Sequence, residues 1–213
     1  VAVESINQAN PGTFSSIKFV WYQELVGKWF SGVESSEPNR ILQRVASGLD
    51  KDDQKNRVVK ITYVDDLVLT IRDICESKIL DVETIVGPCY QTTTDQILCK
   101  AHAFKKSQND LKLFNTGHGL DRALYATFLS YLPTDEFAYE LKAHKDLRGK
   151  FVEIAKTDAF GQFSFFAASA GEVRGQHFHN TKNEKFLVVR GSALFRFRDL
   201  VSNEIVERHV SAD

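Results

Sequence analysis

The chain has 213 residues, 43% of them hydrophobic and 26% charged, and 27 Lys and Arg against 28 Asp and Glu leave a formal net charge of −1. With a mean hydropathy of −0.26, this is the composition of an ordinary soluble globular protein and excludes disorder, collagen and coiled coil. Balanced charge gives no electrostatic footprint for nucleic acid or an anionic membrane, and no apolar run reaches the ~18 residues of a membrane span. Neither partner is expected.

Val1 to Asn10 are too polar for a signal-peptide core, so the expected location is the cytoplasm. Cys75, Cys89 and Cys99 form no CxxC pair and read as reduced thiols, in the core or half-buried. The chain starts with Val and contains no Met, which predicts an internal fragment of a longer polypeptide.

In chain order, Ser16 to Tyr22 is a short β-rich run followed by a glycine-bounded loop, Gly27 to Gly32. Pro38 suits the first turn of a helix lined by Ile41, Leu42 and Val45 and stopped at Gly48. Arg57 to Val64 reads as a strand running into Asp65-Asp66, which can cap a helix whose apolar face is Leu67, Val68, Ile71, Ile74 and Cys75. A strand-like stretch from Ile79 to Val86 and the Gly87-Pro88 turn precede a helix capped by Thr94 and carrying Ile97, Leu98, Ala101 and Phe104 on one face. A third helix, Leu120 to Tyr131, must end near Leu132 because Pro133 disfavours helical backbone before it. Alternating strands and helices of this kind are the pattern of an α/β domain.

From Phe137 onward the texture changes to short extended runs at 151–154, 162–168, 184–190, 193–198 and 204–210, separated by turn signals. This predicts an antiparallel sandwich or barrel and a domain boundary near Pro133. Within it, His177-Phe-His179 places two imidazoles on one side of an extended chain. The Asn180 to Asn183 turn then returns the chain to Glu184. Two imidazole nitrogens and one carboxylate oxygen suit Zn, Fe, Mn, Ni or Co with coordination positions left over, although a coincidental surface pair of histidines explains His-x-His alone. His144 and His209 are candidate acid–base groups, against the plainer reading of solvated histidines.

Gly171-x5-His177-x-His179-x4-Glu184-x6-Gly191 matches every fixed position of the first motif of the cupin superfamily. That resemblance implies an all-β cupin barrel with His177, His179 and Glu184 as metal ligands. The second cupin motif, with its fourth ligand histidine, is absent before Asp213, so the barrel is expected to lack its last strands. Asp146-Leu-Arg148-Gly149 resembles a segment of sugar-nucleotide epimerases of the cupin group, which implies substrate binding by Arg148, although a turn and strand start explain the same residues.

Residues 129–141, then Asp146 to Gly149, then His179 to Gly191 resemble the bifunctional capsule-precursor reductases of the CapF type, an extended short-chain dehydrogenase/reductase followed by a zinc cupin. Gly27-Lys28-Trp29, Tyr63 to Asp66 and the Thr94 helix resemble the last third of such a reductase. The implied fold is an α/β remnant over 1–132, the C-terminal portion of the reductase domain, and the N-terminal portion of a cupin over 133–213. The implied pathway acts on a UDP-2-acetamido-2,6-dideoxy-4-hexulose. The cupin epimerises C3, the reductase reduces C4 with NADPH, and the product is a UDP-N-acetyl-6-deoxy-L-talosamine precursor of capsule or O-antigen. The implied partners are the UDP-sugar and a second copy of the chain in a homodimer.

The dinucleotide loop and the Tyr-x-x-x-Lys pair are absent, so no cofactor-binding residue is expected here, and Tyr63, Asp65 and Asp66 read as structural. The catalytic base stays unassigned. The rival functions are a metal-dependent cupin oxygenase and a non-catalytic sugar-binding or dimerisation cupin.

Overall fold

The computed structural model describes residues 19–27, 36–49, 55–76, 83–159 and 161–212. They form a mixed α/β fold with several sheets, divided into two compact units, Val1–Ala170 and Gly171–Asp213. The glycine-bounded loop, apart from Gly27, lies outside the described residues, as does the start of the expected first strand.

In the first unit, β1 (Phe19–Trp21) pairs in parallel with β4 (Glu83–Ile85). The second sheet has β3 (Val58–Tyr63) at its centre, parallel to β2 (Glu24–Val26) and antiparallel to β5 (Cys89–Thr93). A central strand needs side chains that fill a pleated surface, and β3 supplies buried Val59, Ile61 and Tyr63. Helix α1 (Glu37–Ala46) starts where the Ser36 hydroxyl accepts from Asn39 N–H, has Pro38 in its first turn, and buries Ile41, Leu42 and Val45 as expected. The buried Asn39 amide fastens α1 to the end of β2: its oxygen accepts from Gly27 N–H at 3.1 Å, and its nitrogen donates to the Leu25 and Gly27 carbonyls at 3.3 Å.

Helix α2 (Val64–Cys75) follows β3 without a break. Asp65 and Asp66 lie in its first turn, and no side-chain bond caps it at Tyr63, so the expected aspartate cap is replaced by acidic residues at the positive end of the helix dipole. The expected apolar face is there in spacing but largely uncovered, with Val68 and Ile71 exposed among the described residues. Helix α3 (Thr94–Asp110) is capped one residue earlier than expected, by Thr93. Thr93 accepts from Gln96 N–H at 3.2 Å while the Gln96 side chain accepts from Thr93 N–H at 3.2 Å. Thr94 instead ties the helix to the approach to β3, accepting from Arg57 N–H at 3.1 Å and donating to the Lys55 carbonyl at 3.3 Å.

Helix α4 (Gly119–Tyr131) stops at Leu132, whose extended backbone precedes Pro133 as anticipated. The core joins Val26, Ile41, Leu42, Val59, Ile61, Ile97, Phe104, Leu124 and Phe128. Phe104 is its aromatic centre, with ring centroids 5.1 Å from Phe114, 5.0 Å from Tyr125 and 5.7 Å from Phe128. Cys75, Cys89 and Cys99 are free thiols but exposed, which corrects the half-buried expectation.

After a 3-10 turn at Thr134–Glu136 the chain becomes an antiparallel meander of β6 (Ala143–Asp146), β7 (Gly149–Thr157) and β8 (Gly161–Ala168). Gly149 is obligatory at its turn: φ is +130°, and a Cβ there would sit 2.0 Å from the Ala167 carbonyl oxygen. Reciprocal backbone bonds of 2.8 Å, Leu113 N–H to Lys156 O and Lys156 N–H to Leu111 O, join β7 to the segment between α3 and α4.

The second unit contains the antiparallel hairpin of β9 (Ser192–Arg198) and β10 (Ile205–Ser211), in which Phe195 lies opposite Arg208 and Arg196 opposite Glu207. The expected strand at 184–190 is not formed: these residues pair in no ladder among the described residues. A β-rich run becomes a strand only where a neighbour supplies its hydrogen bonds. No helix among the described residues is long and apolar enough to cross a membrane.

Candidate metal centre

The second unit brings His177, His179 and Glu184 together. Gly175 (φ +104°) and Gln176 (φ +59°) turn the chain immediately before the two histidines. The imidazole centroids then lie 4.9 Å apart with their planes at 69°. The Asn180 to Asn183 segment carries the chain back so that His179 Nε2 is 3.9 Å from Glu184 Oε1. One donor atom from each of the three residues falls within 4.8 Å of the others. Donors ~2.1 Å from a tetrahedral metal are about 3.4 Å apart, so a small closure of these side chains produces a ligand set. Three ligands of this chemistry leave at least one coordination position for water or substrate.

The turn adds a group that spacing alone did not single out. Lys182 Nζ donates to Glu184 Oε1 at 2.9 Å. This bond, with the positive charge of Lys182, holds the Glu184 carboxyl below its ordinary range, and the two histidines lower it further while partial burial opposes them. Glu184 is thus kept in the ionised form a ligand requires. The signal for Lys182 lay in the sequence as a cation two residues before the acid, in the turn that returns the chain to Glu184.

Phe186 packs on Phe195 at 5.3 Å between ring centroids, which lays the residues after Glu184 against the apolar side of the β9–β10 hairpin. His209 stands opposite Leu194, on the other side, with the Arg196–Glu207 ion pair. The fold does not bring it to the triad. His144 and Arg148 belong to the first unit. His144 is exposed on β6, its ring centroid 6.5 Å from that of Phe151. Arg148 occupies the β6–β7 turn, where Asp146 accepts from its backbone N–H at 2.9 Å and from its guanidinium at 3.0 and 2.6 Å. Asp146 therefore orders both the turn and the arginine fork.

Tyr63 and Asp66 have the structural role expected of them. Asp66 is buried and accepts from Arg122 of α4 at 2.8 Å, and the same guanidinium lies 5.0 Å over the Tyr63 ring. Burial and the neighbouring Asp65 carboxylate raise the Tyr63 phenol above its ordinary value.

The family described as Polysaccharide biosynthesis C-terminal domain matches residues 144–213. A curated relative, UDP-2-acetamido-2,6-beta-L-arabino-hexul-4-ose reductase of Pseudomonas aeruginosa, is 41% identical over 150 residues, covering 70% of this chain and 40% of that protein. The capsular polysaccharide assembling protein CapF of Staphylococcus aureus superposes with a TM-score of 0.84 at 31% identity, over 99% of this chain and 57% of the other. A structure of CapF with the inhibitor 3-isopropenyl-tropolone gives a TM-score of 0.85 at 31% identity, over 99% of this chain and 61% of that one. The chain therefore spans 40% to 61% of the length of these relatives. In sequence and in fold it is a relative of the CapF-type capsular polysaccharide proteins.

Proposed function

We propose that this chain is part of a UDP-sugar-modifying enzyme of capsule or O-antigen synthesis. Residues 1–132 form the C-terminal portion of an NADPH-dependent reductase domain, and 133–213 the N-terminal portion of a metal-dependent cupin. The observation that carries the reading is the convergence of His177, His179 and Glu184 within 4.8 Å in a relative of CapF. The substrate is a UDP-2-acetamido-2,6-dideoxy-4-hexulose, in keeping with the hexulose named for the 41% identical reductase. The cupin inverts C3, and the reductase domain then reduces the C4 ketone with NADPH to give the UDP-N-acetyl-6-deoxy-L-talosamine precursor.

The donor set fits a divalent cation, with zinc as the proposed ion: two imidazoles that ligate when neutral and a carboxylate held ionised by Lys182. When bound, such a cation supplies Lewis-acid stabilisation to an oxyanion. Proton removal beside the C4 ketone generates that charge, and the ligand residues hold the stabilising group where it develops. Arg148, with its fork ordered by Asp146, is proposed to hold the anionic nucleotide portion. Of the two histidine candidates for proton transfer, His144 is retained, because His209 stands away from the triad. The active assembly is proposed to be a homodimer in the cytoplasm.

The test is deuterium exchange at C3 of the UDP-4-keto sugar in D2O without NADPH, comparing the complete cupin with its Glu184→Gln variant. Exchange by the parent and its loss in the variant is the expected result. A metal-loaded cupin that exchanges no deuterium would reduce the site to a binding module, and oxygen consumption with iron at the site would make it an oxygenase.

A further inference from the structure

The same carboxylate oxygen that faces the histidines is already taken by a cation. Glu184 Oε1 lies 3.9 Å from His179 Nε2 and 2.9 Å from Lys182 Nζ, so the carboxylate oxygen that faces His179 is bound to the ammonium. Lys182 is also close in sequence, in the turn between the ligands, so its charge stays near the site wherever the side chain swings.

We propose that Lys182 is an internal competitor for the Glu184 carboxylate, a positioning residue that holds it toward His179 and lowers the metal affinity of the site through its bond and its charge. The proposal rests on the metal reading above. Two physical consequences follow from it. A divalent ion entering the triad competes with the Lys182 ammonium for the Glu184 carboxylate, and that ammonium, tethered two residues away, repels the bound ion. The ion pair itself is half-exposed, with 46% and 32% side-chain exposure, so its own strength is small and salt-sensitive. The repulsion is the larger effect, because the incoming charge is double. Lys182 therefore lowers occupancy when metal is scarce, and the salt dependence of binding changes when it is removed.

The experiment measures zinc affinity of the whole chain by competition with a chromophoric chelator, at low and high KCl, for the parent, Lys182→Met, Lys182→Arg and Glu184→Gln. Lys182→Met is expected to bind zinc about tenfold more tightly at low salt, the gap narrowing as KCl is raised, while Lys182→Arg stays near the parent. Glu184→Gln is expected to bind more weakly than the parent. Parent binding with unchanged or weaker binding by Lys182→Met overturns this proposal and leaves the metal reading standing. A parent that takes up no zinc, or a Glu184→Gln variant that binds as well as the parent, overturns the ligand assignment and this proposal together.

Discussion

The guanidinium of Arg122 bonds Asp66 at 2.8 Å while lying 5.0 Å over the ring of Tyr63, so one α4 side chain closes over both the end of β3 and the first turn of α2. Asp66 Oδ2 and Arg122 Nε, buried with no partner among the described residues, show that neither group has spare hydrogen bonds to fall back on.

Removal of the arginine is therefore expected to cost more than neutralisation of the acid. Arg122→Ala leaves a carboxylate with only 8% side-chain exposure without its cation. The cost is about 2 kcal/mol, below the ~3–5 kcal/mol of a fully buried pair because Arg122 keeps 35% of its side chain in solvent. Asp66→Asn retains an acceptor for Arg122 and removes the buried charge, so its loss is smaller. Urea unfolding followed by circular dichroism measures both. Equal losses, or none, would show that the pair does not hold α2 to α4.

The α3 start separates two threonines that look alike in sequence. Thr93→Ala removes the acceptor for Gln96 N–H and is expected to cost about 1 kcal/mol, the usual value of an N-cap. Thr94 is 1% exposed, and Thr94→Ala strips partners from Arg57 N–H and the Lys55 carbonyl, so its cost is expected to be larger, about 1–3 kcal/mol. Thermal unfolding of the two variants, with Thr94→Ser as a rescue, ranks them. A neutral Thr93→Ala would restore the cap to Thr94.

That ambiguity illustrates what sequence could and could not reveal. The spacing of Ile97, Ala101 and Phe104 is local and periodic, and those residues are buried, but either Thr93 or Thr94 can cap a helix until the partner of each hydroxyl is known. Periodicity also groups Val68 with Ile71 on α2 without saying whether anything covers them, and they are exposed. Residues 184–190 show β-propensity, yet pairing depends on neighbours remote in sequence. The Asp66–Arg122 contact joins residues 56 apart, beyond any motif spacing. The metal triad was legible for the opposite reason. Its three residues fall within one turn of an extended chain, so spacing alone nearly fixes their approach.

The metal binding proposed for the triad carries a pH signature. Imidazole ligates only when neutral, and a carboxylate only when ionised, so acid competes with the metal at every ligand. Glu184 is held below the ordinary carboxylate range, first by its bond from Lys182, so its folded-state contribution persists further into acid and is lost only as pH falls through that lowered value. Zinc is therefore expected to be lost on acidification as protons compete with the ion for its ligands. Zinc retained by the whole chain after dialysis at stepped pH measures this. The His177→Ala, His179→Ala double variant should retain no zinc at any pH, whereas Glu184→Gln should retain less than the parent with the acid limb still present. A double variant that keeps zinc at the parent's stoichiometry would move the metal site away from this turn.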